Sequence, residues 1–99
     1  MWYMILGTDA PDSLDRRKLA RPEHLERLET LRDAGRLLLA GPLPAIDAAD
    51  PGPNGFTGTL VVAEFDSLAA ARAWTDADPY VKAGVFASVD VRPWLRVLP

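Results

Sequence analysis

The sequence contains no cysteine and a single histidine, His24. Without cysteine the chain has no disulfide framework, no thiolate nucleophile and no metal site built from cysteine ligands. A single histidine also excludes the usual zinc site that several histidines form. We therefore expect no metal site.

The chain also lacks a strong excess of charge and a long apolar run. Its net charge is −3, and its tight basic cluster, residues 16–18, has Asp12 and Asp15 beside it. A nucleic-acid surface needs basic residues that outweigh nearby acids, so we expect no nucleic-acid partner. The apolar start MWYMILG is too short to span a membrane and lacks the features of a signal peptide. We predict a cytoplasmic protein without membrane association.

What remains is the composition of an ordinary soluble domain. Apolar residues make up 48% of the chain and charged residues 25%, values typical of globular proteins. A chain of 99 residues can fill one hydrophobic core and not two. We predict a single domain over residues 1–99.

Apolar runs separated by turn and capping residues predict the order strand, helix, strand, strand, helix, strand. Pro22 fits the first turn of a helix, so it is expected to start or restart one, behind a helical stretch that ends at Ala20. In the last strand, alternation places Phe86 on the face opposite Val89 and Val91. The predicted spans are Trp2–Leu6, Pro22 to near Ala34, Arg36–Ala40 ended by Gly41 and Pro42, Phe56–Phe65, Leu68 to about Asp76, and Val85–Val91.

This order is typical of the ferredoxin-like βαββαβ arrangement, an α+β fold with a four-stranded antiparallel sheet and both helices on one face. The helices leave the other sheet face bare. The first three strands nevertheless carry apolar residues on both faces, with Trp2 or Tyr3 on the uncovered side. An open apolar face on so small a domain predicts a homodimer whose sheets pack face to face.

His24 lies at the border of an apolar helix stripe, one residue before Leu25 and four before Leu28. This position predicts a ring at the boundary between core and solvent, where a helix N-terminus disfavours the imidazolium and a nearby carboxylate favours it. Such a histidine can exchange protons near neutral pH. The alternative is an ordinary, partly exposed helix residue.

Asp78 is the candidate partner of His24. It precedes Pro79 at the end of a predicted helix, where the helix dipole disfavours a carboxylate, and orienting a histidine would explain that placement. The alternative is common turn chemistry, since aspartate often precedes proline in turns. Spacing alone does not show that the two side chains meet.

Four further residues are candidates for the lining of a ligand pocket. Arg21 can bind an anionic group or lie in solvent, and Tyr80 can donate a phenolic hydrogen bond or belong to the core. Gly41 and Pro42 can bring the backbone close to a ligand or simply end a strand. No phosphate-binding loop or glycine-rich nucleotide motif is present.

The segments RPEHLERLETLRDAGRLLLAGPLPAIDAADPG and GFTGTLVVAEFDSLAAARAWTDADPYVKAGVF closely resemble the YciI family of small bacterial proteins. The most specific parts are the helix histidine, AGP after the second strand and DPY before AGVF. The resemblance implies a ferredoxin-like fold that dimerises into an α+β barrel, and it maps the family's histidine–aspartate pair onto His24 and Asp78. Related barrels include muconolactone isomerase-like enzymes, cofactor-free monooxygenases and a dehydrochlorinase.

Together these features predict an enzyme of small-molecule metabolism that needs no cofactor, of lyase or isomerase type, such as a dehydrochlorinase. His24 would act as general base or acid, and Asp78 would fix its tautomer. The other four residues would bind a small, acidic substrate. One alternative is a ligand-binding module without catalysis. Another is a cofactor-free monooxygenase, which would need a roomier and more apolar cavity.

Overall fold

An antiparallel sheet forms one layer of the protein in the computed structural model, which describes residues 1–99. Two helices, α1 and α2, pack on one face of the sheet, and a single-turn helix, α3, follows α2. The strand order β2-β3-β1-β4 confirms the predicted ferredoxin-like arrangement. The elements are β1 (Trp2–Asp9), α1 (Leu14–Asp33), β2 (Leu37–Pro44), a 3-10 turn (Gly52–Asn54), β3 (Phe56–Glu64), α2 (Leu68–Asp76), α3 (Pro79–Lys82) and β4 (Phe86–Trp94).

The core lies between the helices and the sheet. Strand β1 alternates, so that Tyr3 and Ile5 are buried under the helices. Helix α1 contributes Leu28 and Leu31 to the same cluster. The intervening side chains of β1, beginning with Trp2, therefore point to the opposite face, which no helix of this chain covers. None of the helices combines the length and the apolar character that a membrane span requires.

Helix α1 is continuous from Leu14 to Asp33, so the prediction that Pro22 starts a helix was wrong. Proline inside a helix removes one backbone hydrogen bond. Pro22 is exposed, and the burial of the opposite side of α1, at His24, Leu28 and Leu31, offsets that loss. His24 is consequently far from the helix N-terminus, and the argument from the helix dipole does not apply to it. Only 5% of the residue is exposed, which contradicts the alternative of an ordinary, partly exposed helix residue.

Strand β2 does not end at Gly41 and Pro42, as predicted, but runs on to Pro44. It lies at the edge of the sheet, where a missing N–H does not disturb the hydrogen bonds to a neighbouring strand. The extension carries the backbone at residues 41 and 42 past α1.

Strand β4 contains an irregularity that changes the direction of one side chain. Thr8 pairs with Ser88, but Asp9 pairs with Phe86, so Ala87 is an extra residue. The expected alternation is broken there. Phe86 therefore lies on the helix side of the sheet, where it contacts the ring of Tyr80.

Candidate active site

A cavity of about 160 Å³ lies between α1 and the edge of the sheet at β2. It contains five of the six predicted site residues, and the sixth, Asp78, is hydrogen-bonded to one of them. The lining residues are Arg17, Arg21, His24 and Leu25 of α1, Ala40, Gly41 and Pro42 of β2, Thr59 of β3, and Tyr80 of α3.

His24 and Asp78 are in direct contact. Nδ1 of His24 lies 3.0 Å from Oδ1 and 3.1 Å from Oδ2 of Asp78, and both side chains are buried. An ionised carboxylate only accepts hydrogen bonds, so the proton of the neutral ring is on Nδ1. Nε2 makes no hydrogen bond to the protein, and no enclosed side-chain nitrogen or oxygen lacks a partner, so Nε2 is accessible.

Asp78 owes its position to the start of α3. It is extended, as expected before Pro79, and its Oδ1 accepts a hydrogen bond of 2.8 Å from the backbone N–H of Tyr80. Asp78 thus caps the N-terminus of a helix, a favourable place for a carboxylate. The expectation that the helix dipole disfavours Asp78 was therefore wrong, because α2 already ends at Asp76.

Arg27, which sequence reasoning did not single out, supports the same carboxylate. Its Nη1 lies 3.4 Å from Oδ2 of Asp78, and its Nη2 donates a 2.8 Å hydrogen bond to the carbonyl of Trp74. The guanidinium also lies over the Trp74 ring, 4.2 Å from its centroid. Burial lowers the pKa of Arg27, and the Asp78 carboxylate opposes that shift.

Tyr80 is almost completely buried, with 1% of the residue exposed. Its ring stacks on His24 with centroids 3.9 Å apart and planes inclined by 12°. The ring of Phe86 meets it edge-on at 5.5 Å. Burial raises the pKa of the Tyr80 phenol, while the charges of Arg17 and Arg21 oppose the shift. The phenol therefore remains neutral at ordinary pH and can donate a hydrogen bond.

Arg17 is the second functional candidate that sequence reasoning missed, because it belongs to the basic cluster of residues 16–18. It is 5% exposed and pairs with Asp9 through Nε and Nη2, at 3.0 and 3.1 Å. It precedes His24 by seven residues, or about two helical turns, and so shares its face. A continuous helix through Pro22 would have revealed this spacing.

Arg21 and Gly41 complete the cavity in different ways. Arg21 is exposed and has no hydrogen bond or ion pair within the chain, which leaves its charge free for a ligand. Gly41 has no positive φ, and an added Cβ would meet nothing within 4 Å. It pairs with Leu60 and lines the cavity with its backbone.

Comparison with known proteins identifies close relatives of this chain. The family model for the YCII-related domain matches residues 1–95. Protein YciI of Escherichia coli O6:H1 is 58% identical over 97 residues, covering 98% of this chain and 99% of that protein. A protein of Haemophilus influenzae is 48% identical with the same coverage.

A solved structure is similar over nearly the full length. It is the 5-chloro-2-hydroxyhydroquinone dehydrochlorinase TftG from Burkholderia phenoliruptrix AC1100, in complex with 2,5-dihydroxybenzoquinone. The TM-score is 0.84 at 31% identity, with 96% of this chain and 94% of the other covered. The predicted resemblance is thus confirmed, and the chain belongs to the YCII-related, or YciI, family.

Proposed function

We propose that this protein is a lyase or isomerase for small acidic molecules, in which His24 transfers a proton without the help of a cofactor. The observation that carries the proposal is the contact between His24 and Asp78 beside the cavity. Asp78 accepts a hydrogen bond from Nδ1–H of His24, which leaves the lone pair of Nε2 free to act as a base. When Nε2 takes a proton, the carboxylate stabilises the imidazolium that forms.

The lining of the cavity supports a small, anionic substrate. Arg21 is the cation there without a protein carboxylate, so it would bind an acidic group of the ligand. At about 160 Å³ the cavity is smaller than the roughly 300 Å³ from which pockets for drug-sized molecules begin. Gly41 and Pro42 would contact the ligand with their backbone, and Tyr80 would offer its hydroxyl.

The similarity to TftG favours an elimination among the possible reactions. In such a step the substrate reacts as its diketo tautomer. Nε2 of His24 would take a proton from the CH₂ carbon that lies between a carbonyl and the C–Cl carbon, and the electrons of the C–H bond would form a new π bond to the C–Cl carbon. Chloride would leave with the electrons of the C–Cl bond. The products are the dehydrochlorinated molecule, one chloride ion and the protonated histidine, which returns its proton to water.

The test is chloride release from 5-chloro-2-hydroxyhydroquinone and, in parallel, deuterium incorporation into small ketoacids in D₂O. The wild type is compared with His24→Gln and Asp78→Asn, and with Arg72→Gln as a control on the exposed face of α2. We expect both site variants to lose about 10²–10⁴-fold in rate, and the control to keep its rate. Equal rates in wild type and His24→Gln would refute the proposal.

A ligand-binding module without catalysis is the second candidate, and one observation favours it. Asp78 also caps α3 and meets Arg27, so the protein needs this carboxylate for its structure even if no reaction occurs. Tight binding of an acidic ligand by wild type and His24→Gln alike, without turnover, would support the module. The cavity measures about 160 Å³ and is lined by two arginines and a histidine, so it does not favour the monooxygenase alternative, which requires a roomier and more apolar cavity.

We also propose that the open sheet face is the interface of a homodimer. Its central rows pair Leu6 with Leu60, Met4 with Val62 and Trp2 with Trp94. At one border, on β4, Asp90 and Arg92 form an ion pair of 2.8 Å. A second copy related by a two-fold axis would cover this apolar face with an identical one.

A further inference from the structure

We propose that Arg17 and Tyr80 together form a binding subsite for a negatively charged ligand oxygen, of the enolate or phenolate class. The subsite deepens the proposed function, because this oxygen would be the one that gains charge when Nε2 of His24 removes a proton from a neighbouring carbon. Such an oxygen needs hydrogen-bond donors that are already in place.

One edge of the Arg17 guanidinium is fully occupied by the protein. Nε and Nη2 bind the two carboxylate oxygens of Asp9. Nη2 also lies 3.0 Å from the carbonyl of Gly58 and 2.6 Å from Oγ1 of Thr59. These four contacts hold the planar group in one orientation, since β1, β3 and α1 all contribute to them.

The N–H groups of Nη1 are not used by Asp9, Gly58 or Thr59. A hydrogen bond from Arg17 to the Tyr80 hydroxyl lowers the pKa of that phenol. Arg17 is 5% exposed and lines the cavity of about 160 Å³ that His24 also lines. Nη1 carries two N–H groups, so one remains for a molecule in that cavity when the other binds the Tyr80 hydroxyl.

Tyr80 adds a second donor beside the first. The Arg17 guanidinium lies 4.8 Å from the centroid of the Tyr80 ring, and the charges of Arg17 and Arg21 act on the Tyr80 hydroxyl. The ring cannot turn away easily, because it stacks on His24 and its backbone N–H is bound to Asp78. Both donors and His24 thus surround one small cavity.

Arg17 differs from Arg21 in what it offers a ligand. Arg21 is exposed and can attract an anion from solvent, but its charge is screened there. Arg17 is buried, its charge is balanced by Asp9, and its orientation is fixed. A fixed donor at low dielectric stabilises charge that develops during a reaction more than an exposed one does.

A purely structural role for Arg17 makes a different prediction. If Arg17 only linked Asp9 to β3, it would need only the hydrogen bonds of Nε and Nη2. Arg17→Lys keeps a positive charge beside Asp9 but lacks the second edge, and Tyr80→Phe removes only a hydroxyl. Both variants therefore distinguish the structural role of Arg17 from its proposed role in ligand binding, and Tyr80→Phe does so with the smaller risk to folding.

The test measures binding of 2,5-dihydroxybenzoquinone by absorbance titration to wild type, Arg17→Lys, Tyr80→Phe and the double variant, with thermal unfolding as a check of the fold. We expect each single variant to weaken binding by about 10-fold to 100-fold, as for a hydrogen bond to a charged group. The double variant should show coupling between the two residues. Arg72→Gln should bind like wild type.

Unchanged affinity in Tyr80→Phe and in folded Arg17→Lys would overturn the subsite, as would a wild type that does not bind the probe. The proposed function is judged separately, by chloride release and deuterium incorporation in His24→Gln. A wild type that binds the probe through Arg17 and Tyr80 but turns over no substrate would keep the subsite and refute the enzyme. The reverse pattern would keep the enzyme and refute the subsite.

Discussion

The ring of His24 lies flat against the ring of Tyr80, 3.9 Å between centroids and 12° between planes. The two residues are 56 positions apart and belong to α1 and α3. Asp78 accepts hydrogen bonds from both the ring of His24 and the backbone N–H of Tyr80. The orientation of the imidazole therefore depends on the position of Tyr80 as well as on Asp78. Whatever displaces Tyr80 should therefore disturb His24.

Gly7→Ala should disturb His24 from a distance. An added Cβ at residue 7 would come within 2.5 Å of the Phe86 ring, and Phe86 contacts Tyr80 edge-on. We expect the variant to lose about 1–3 kcal/mol of unfolding free energy through overpacking. The ring protons of His24 should shift as well, since they sense the Tyr80 ring.

Urea denaturation and one-dimensional NMR check this expectation, and the single histidine makes assignment simple. Gly7→Ala combined with Phe86→Leu serves as a matched control, because the smaller side chain makes room for the methyl group. The link from Gly7 to His24 does not exist if Gly7→Ala alone keeps both its stability and its histidine signals.

Stability should decline above about pH 10 because of Tyr80. Burial raises the pKa of its phenol in the folded protein. Above the ordinary pKa the unfolded chain releases a proton that the folded chain retains, so unfolding becomes more favourable as pH rises, until the folded phenol also ionises. Unfolding free energies between about pH 8 and about pH 11.5, which is roughly two units below to roughly 1.5 units above that ordinary value, measure the decline.

Tyr80→Phe should show a smaller decline than wild type over the same range. The chain has two tyrosines, so Tyr3→Phe leaves Tyr80 as the single source of phenolate absorbance. In that background the phenolate band should emerge at a higher pH in native protein than in protein unfolded by urea. Coincident titrations would contradict the raised pKa.

The order of the elements was predictable, but the composition of the site was only partly so. Strand ends and helix caps depend on neighbouring residues, and Ser67 caps α2 through its Oγ, which accepts a hydrogen bond from the backbone N–H of Ala70. The contact of His24 with Asp78 depends on how α1 packs against α3, which spacing does not encode. Local rules failed where packing overrode them, at Pro22 within α1 and at the extra residue Ala87.

The burial of Arg17 was the least predictable feature. Its sequence neighbours are Arg16 and Lys18, both exposed, and a charged triplet next to aspartates is typical of a solvated surface. Its partner Asp9 ends β1, and its other partners lie on β3. Only the completed sheet brings these acceptors together, so the position could not be derived from local pattern.

Asp78→Asn should separate the two roles of Asp78. Asparagine is also a good N-cap, so α3 should persist, but Nδ1 of His24 loses its charged acceptor. We expect the ¹⁵N signals of the ring to change from a single Nδ1–H tautomer to a mixture. Unfolding free energy should fall by about 1–3 kcal/mol, since Arg27 loses its carboxylate too.

Asp76→Asn is the matched control for this variant, because Asp76 is exposed at the end of α2. It should leave both the ring signals and the stability near wild-type values. Identical ¹⁵N patterns in wild type and Asp78→Asn would mean that Asp78 does not hold the tautomer. The proposed proton transfer would then lose its structural basis.

Leu6→Glu should dissociate the proposed homodimer. Leu6 lies in the central row of the open sheet face, paired with Leu60 on one side and Asp90 on the other. A carboxylate there would be buried without a partner in the dimer, so association should weaken at least about a hundredfold.

Leu19→Glu is the matched control, because Leu19 is 84% exposed on the outer side of α1. Sedimentation over a range of concentrations should give a dimer for wild type and Leu19→Glu, and a monomer for Leu6→Glu. A monomeric wild type, or a Leu6→Glu variant that remains dimeric, would show that this face is not the interface.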